Sequence, residues 1–282
     1  MKLINWLFLC VCFNILAQNK LTNKEGFFEK KEFQNIKWET TKIRKGIRVK
    51  TANINLFDSP QQIYILDIDT ARAKVNYRVG MPGYMEKTSV QAKEKNAIAA
   101  INGSFFNNHS KPLGDSRHLI MIDGKVLAHT YAKEYNTRAN GSVTINNNHV
   151  RISDWSKEKE EQISQTAENI LVSGPLIIDD NKTIELTSFS SNSKRHPRSF
   201  IAFVDGHLLL VVVDGRSKNA AGMTLQEVSI FGKALGCNDI LNLDGGGSST
   251  LFVKGYDKDE IVNIPSDGSE RAVKGIFYIT EK

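Results

Sequence analysis

From Leu235 to Gly255 the chain reads LGCNDILNLDGGGSSTLFVKG, and this stretch constrains the fold more than any other. An amphipathic run, Thr224 to Leu235, ends at Gly236, and a glycine just past the last periodic residue marks a helix C-terminus. The apolar run Ile240 to Leu243 then reads as a buried strand. It stops at Asp244, which is followed by Gly245, Gly246 and Gly247. Three successive glycines carry a large backbone-entropy cost, and packing alone gives little reason for them. They let backbone approach a ligand closely, with exposed N–H groups that suit an anion. Ser248, Ser249 and Thr250 add hydroxyls before Leu251 to Val253 resumes a strand. A carboxylate at a strand end beside donor-rich backbone suits a phosphate or a sugar. The plainer alternative is a strand–loop–strand corner with a Gly-rich turn.

A second constraint lies just upstream. Phe200 to Val204 and Leu208 to Val213 read as the arms of a hairpin turning at Asp205-Gly206. Leu208 to Val213 is apolar on both faces, which places it centrally in a sheet. Arg198 enters this hairpin at the end opposite the turn, and Asp214 leaves at the same end, so the two are neighbours at one sheet edge. Asp214 and Asp244 end two strands joined by the Thr224–Leu235 helix. If those strands run parallel in one sheet, both carboxylates emerge at one edge, together with Arg216 of the Asp214-Gly-Arg216 turn.

The remainder supplies more strands than helices. Ile63 to Ile68, Lys74 to Val79 and Ala97 to Ile101 read as strands. The last delivers Asn102, Gly103 and Ser104 to a loop with Phe105 and Phe106, a place suited to ligand contacts or to a glycine turn with its aromatics in the core. Thr88 to Lys95 reads as a helix capped by Thr88 or Ser89, and the charged run Lys157 to Asn169 as another. Hairpins are expected over His118–His129 and Ser142–Ile152. The fold class implied is α/β in the α+β sense: a single domain around a mixed, largely antiparallel β-sheet with flanking helices. The hairpin count excludes a doubly wound parallel sheet, and the helical crossover excludes a pure sandwich.

Met1 to Ala17 has the form of a signal peptide, with Lys2, the apolar Leu3–Leu16 and a cleavage site before Gln18. The run is too short to span a membrane, so no span is expected after cleavage, and the product is exported, periplasmic or extracellular. Bulky Leu9 and Val11 before Cys10 and Cys12 argue against lipoprotein processing. Residues 18–50 read as a polar N-terminal extension and 51–282 as the main domain, which carries every candidate site residue. The formal charge of +6 comes from scattered lysines and arginines, which makes no case for nucleic acid. Cys237 is alone in the mature chain and reads as a packed, inert thiol.

Common site motifs are missing. Ser248 lacks the glycine of a nucleophile elbow, Thr250 stands where a dinucleotide fingerprint needs glycine, and no P-loop occurs. The six histidines show no metal-ligand spacing; His196 reads as a surface-loop residue, with a ligand contact as the alternative. Asp and Asn clusters offer oxygen to calcium, but without an EF-hand-type loop no cofactor or metal is assigned.

The run Asn242-Leu-Asp-Gly-Gly-Gly-Ser-Ser-Thr250 resembles the signature of the phosphodiester glycosidase family. Ala100-Ile-Asn-Gly-Ser-Phe-Phe-Asn107, Ser173-Gly-Pro-Leu176, His196-Pro-Arg-Ser199, Val213-Asp-Gly-Arg216 and Gly222-Met-Thr-Leu-Gln-Glu227 follow the family's order, over roughly residues 60–282. The resemblance implies a hydrolase that removes a sugar, N-acetylglucosamine in one member, from a phosphodiester-linked glycan or cell-envelope polymer. It makes Asp214, Asp244 and Arg198 the expected catalytic residues, one aspartate stabilising an oxocarbenium-like centre or activating water. Arg198 and Arg216 would hold phosphate oxygens. Asn102, Gly103, Glu227 and the turn Gly245, Gly246, Gly247, Ser248 and Ser249 would complete substrate binding, with Glu227 orienting an arginine. The alternative is a cell-envelope protein that binds a glycan or sugar phosphate without turnover.

Overall fold

The computed structural model describes residues 33, 36–107, 113–135, 137–162 and 167–282. Met1–Ala17, expected to be a signal peptide, lies outside the described residues. Trp38–Lys282 forms one unit, of the α+β class: a largely antiparallel sheet system with short flanking helices.

The largest sheet has eight strands. In spatial order they are Glu39–Arg44, Ile47–Leu56, Ser59–Asp69, His207–Val213, Arg198–Val204, Asp239–Asn242, Leu176–Asp179 and Lys182–Thr183. The sheet thus begins at Glu39, and the polar stretch read as an extension to about Lys50 carries the whole edge strand Glu39–Arg44 and the start of Ile47–Leu56 beside it. A five-stranded sheet contains Gly141–Asn146 and Asn169–Ser173, and a four-stranded sheet contains Ala99–Asn102, Leu251–Val253 and Ile276–Glu281. One apolar core joins all three, with Leu66, Leu210 and Leu241 from the first, Val143 and Leu171 from the second, and Ile101, Leu251 and Phe277 from the third.

The expected hairpin is present. Arg198–Val204 pairs with His207–Val213 from Arg198↔Val213 to Val204↔His207. Arg198–Val204 also pairs antiparallel with Asp239–Asn242. His207–Val213 and Asp239–Asn242 therefore run parallel to each other with one strand between them. The crossover helix is Leu225–Ala234, capped reciprocally by Thr224 and Glu227, the arrangement that satisfies two otherwise unpaired N–H groups. Val228 and Phe231 bury its inner face. Gly232 lies so close to Ile240 that a Cβ would overlap the Ile240 side chain. Gly236 ends the helix with a φ of +81°.

Two local expectations differ. The charged helix is a single turn, Lys157–Glu161, and Asn169 instead opens a strand that is buried throughout and paired with Gly141–Asn146. Sheet pairing outweighs the local charge pattern there. The helix Thr88–Glu94 has Lys87 at its N-cap without a side-chain cap, because Ser89 donates instead to Glu270 from both its backbone N and its hydroxyl.

Candidate active site

The edge geometry reasoned from hairpin connectivity is present. Asp214 follows His207–Val213, Asp244 follows Asp239–Asn242 by one residue, and Arg198 begins the strand between them. A cavity of about 250 Å³ opens at this edge, its lining including Phe105, Arg138, His196, Arg198, Arg216, Asn242, Asp244, Gly245, Gly246 and Arg271.

Asp244 supplies the only carboxylate among those lining residues. Its backbone is clamped: Asp244 N donates to Gly103 O at 3.0 Å, and Asp244 O accepts from Asn102 Nδ2 at 2.6 Å. Burial pushes its pKa up to about 6 against the opposing pull of Ser248, Arg271 and Arg138. A carboxylate so desolvated in a cleft is a functional-site signature.

Four arginines line the cavity with this one acid. Arg198 is buried and donates to three backbone carbonyls: Nε to Met223 at 2.7 Å, and Nη2 to Ser191 at 2.7 Å and Lys194 at 2.9 Å. Among the described residues no carboxylate pairs with it and its Nη1 hydrogens have no acceptor. Burial, with Arg216 nearby, lowers its pKa to about 10, and it remains a cation at neutral pH. Arg216 adopts a left-handed φ of 64°, unusual for a non-glycine residue, and its guanidinium lies against Gly246, where a Cβ would sit 3.0 Å from Nη2. Arg138 stacks over Phe105 and Phe189 at 5.3 and 5.9 Å. Arg271 pairs with Asp267 at 2.6 Å. Burial, Arg198 and Arg216 hold the His196 pKa below its ordinary value.

Not every expected residue meets the cavity. Asp214 is at the same edge, but its carboxylate turns inward, accepting from Asn263 Nδ2 at 3.0 Å and Ile264 N at 2.9 Å. Asn263 also donates to Ser249 O at 3.1 Å and accepts from Leu251 N at 2.8 Å, so Asp214 braces the far side of the glycine turn. Asn102 is fully buried, and its Oδ1 accepts from Ser199 Oγ at 2.7 Å and Thr250 N at 3.1 Å. Gly103 packs against Gly275. Glu227 binds Arg195 through Nε and Nη2 rather than a cavity arginine. Ser248 and Ser249 are buried.

The three glycines have packing reasons as well. Gly245 sits on Pro197 O, Gly246 on Arg216, and Gly247 on the Asp267–Arg271 pair. The N–H of Gly246 is already given to Pro197 O at 2.9 Å. Of the cavity residues, Arg138 and Arg271 were missed by sequence reasoning. They lie outside any strand or helix, where no periodicity singles out a residue. His196 lines the cavity, the alternative to a plain surface-loop position.

Among the described residues no group of three His, Cys, Asp or Glu is placed to hold a metal ion, and no helix is long and apolar enough to cross a membrane. Cys237 is buried, and burial pushes its thiol up to about 12.

Residues 95–280 match a family model described as phosphodiester glycosidase. The SPbeta prophage-derived uncharacterized protein YomE of Bacillus subtilis (strain 168) is 31% identical over 193 residues, covering 67% of this chain. The chain spans only 29% of that relative's length. The zebrafish N-acetylglucosamine-1-phosphodiester alpha-N-acetylglucosaminidase catalytic domain, auto-inhibited by its pro-peptide, superposes with a TM-score of 0.66 at 18% identity, over 87% of this chain and 88% of that one. A hypothetical protein from Synechocystis gives 0.65 at 16% identity, over 87% and 64%. The Burkholderia pseudomallei K96243 protein BPSS2145 gives 0.62 at 15% identity, over 79% and 74%. At these identities the structural likeness establishes the fold alone.

Proposed function

The chain belongs to the phosphodiester glycosidase family, and from that premise we propose that it is an exported hydrolase that releases a sugar from a phosphodiester-linked glycan or cell-envelope polymer. One observation carries this reading: a single desolvated carboxylate, Asp244, faces a cavity otherwise charged by arginines.

The ordinary glycosidase template uses two carboxylates, one of them an acid that protonates the leaving oxygen. A phosphate leaving group is already stable as an anion and needs its charge held more than it needs a proton. One carboxylate with several guanidinium groups suits that chemistry. In the proposed reaction the bond from the anomeric carbon to the phosphate oxygen breaks, its electron pair staying on the phosphate. Water adds hydroxide to the anomeric carbon and its remaining proton is released. Arg198 and Arg216 bind the phosphate oxygens. Asp244 faces the anomeric centre, where it stabilises the developing positive charge or accepts the proton of the attacking water. Asn102 and Gly103 act through the backbone of Asp244, fixing where its carboxylate begins. An N-acetylglucosamine-like sugar is the proposed glycone, on the strength of the zebrafish enzyme's specificity. Export rests on the Met1–Ala17 segment, with a mature N-terminus at Gln18.

The test is sugar release from an N-acetylglucosamine-1-phosphodiester. Asp244→Asn is nearly isosteric and should cut turnover roughly a hundredfold or more. Ionised Asp244 is the working form, so kcat/KM of the free enzyme should fall as pH drops below about 6. Arg198→Ala should weaken phosphodiester binding roughly tenfold while sparing the free neutral sugar. Tight binding with no sugar released by the wild-type chain would refute turnover and leave a sugar-phosphate-binding protein.

A further inference from the structure

The proposed reaction places one anionic group in the cavity, but the cavity is built for more. A phosphodiester carries one negative charge and two free oxygens, which one pair of arginines satisfies. Four arginines line the cavity, and they fall into two sets. Arg216 reaches His196, its Nη2 3.5 Å from Nδ1, and Arg198 stands two residues further along the chain. Arg271 and Arg138 are instead the cations that favour the charged form of Asp244. The glycine turn separates Arg216 from Arg271, since Arg216 lies on Gly246 and Arg271 on Gly247. Gly246–Ser248 is a 3₁₀ turn, and successive residues of such a turn project about 120° apart. The two guanidinium groups therefore approach the turn from different directions.

The second set has donors beyond those its own carboxylate neighbours take. Arg138 has aromatic partners, Phe105 and Phe189, and no ion pair among the described residues. A guanidinium held against ring faces keeps its N–H groups free to donate. Arg271 has Asp267, but in that pair both side chains are about two-fifths exposed, so it is readily shared with an anion. Like charges gathered around a cavity disfavour one another until an anion arrives.

We infer that the cavity takes a substrate with two anionic groups: the scissile phosphodiester on Arg198 and Arg216, and a second phosphate or carboxylate on Arg138 and Arg271. This rests on the phosphodiester reading of the same site. The second group is either on the portion beyond the phosphate or on the sugar itself.

Three synthetic substrates separate these arms. All are N-acetylglucosamine-type 1-phosphodiesters: one with a neutral alkyl group beyond the phosphate, one with a second phosphate there, and one whose sugar carries a C6 carboxylate. The wild-type chain should prefer one of the doubly charged substrates to the neutral-tailed one by roughly tenfold or more in kcat/KM, the scale of one charge-assisted hydrogen bond. The preferred arm identifies where the second anion lies. In Arg138→Gln the preference ratio should collapse towards one, and Arg138→Lys should restore part of it. Release at equal rates from all three substrates would overturn the second-anion site while leaving the phosphodiester reading intact. No release from any of them would overturn both. The wild-type ratio decides the matter even if a variant does not fold.

Discussion

Asp214→Asn separates a brace from a catalytic group, and its effect on stability has a calculable pH dependence. Burial raises the Asp214 pKa from the ordinary 3.8 to about 6, against the lowering effect of the Asn263, Ile264 and Tyr64 hydrogen bonds. The folded chain thus holds this proton more tightly than the unfolded chain. For a carboxyl raised in this sense, the contribution to stability is fully present below pH 4 and is lost as pH rises through 6. A rise of about two units corresponds to about 3 kcal/mol. The Asn variant has no such titration, but it sets an amide NH2 against one of the two donors, Asn263 Nδ2 or Ile264 N. That mismatch costs about 1–3 kcal/mol at every pH. The variant should therefore be clearly less stable than wild type near pH 4 and comparable or more stable near pH 7.5, the difference moving by about 3 kcal/mol. Urea unfolding of both chains at intervals between pH 4 and 8 measures this. Asp244 and all other groups are common to both chains and drop out of the difference. A difference that stays constant with pH, or moves the opposite way, would refute the argument that Asp214 is held against its own ionisation.

Three further substitutions test the frame of the site against an exposed control. Glu227→Ala removes both the reciprocal cap on Leu225–Ala234 and the partner of Arg195; it should lower unfolding free energy by about 2–4 kcal/mol. Glu161→Ala, which removes the exposed pair with Lys157, should stay within about 0.5 kcal/mol of wild type by the same urea measurement. Gly247→Ala would drive a methyl group into the Asp267–Arg271 pair. Both neighbours are flexible side-chain ends, so the melting temperature should fall by only a few degrees, while kcat/KM for a sugar phosphodiester drops roughly tenfold through the displaced Arg271.

The parts of the site legible in the sequence are those that strand connectivity determines. Arg198, Asp214 and Asp244 were placed at one edge because a hairpin returns its ends to the same side and a helical crossover restores strand direction. That reasoning fixes Cα positions and says nothing of where a side chain beyond the last ladder pair will point. Asp214 shows why. Its carboxylate turns inward because Asn263 and the Ile264 N–H wait there, donors from a segment about fifty residues away that no local pattern connects to it. Asp244 is held by Asn102 and Gly103 through its backbone, and the residue lines the cavity.

The glycines illustrate a different limit. Their lack of side chains was read as room for a ligand, yet the room is largely filled by the protein itself: Pro197 O, the Arg216 guanidinium and the Asp267–Arg271 pair. A glycine reports that something comes close, and only the folded chain shows what. Here the groups that come close are in part the cations of the site. Two of the four cavity arginines, Arg216 and Arg271, hold their places because Gly246 and Gly247 have no Cβ to exclude them. The Asp-Gly-Gly-Gly turn thus joins both halves of the chemistry: it begins with the one acid facing the cavity, and its bare backbone is the surface on which two of the surrounding cations rest. A side chain at Gly246 or Gly247 would displace an arginine before it touched a substrate.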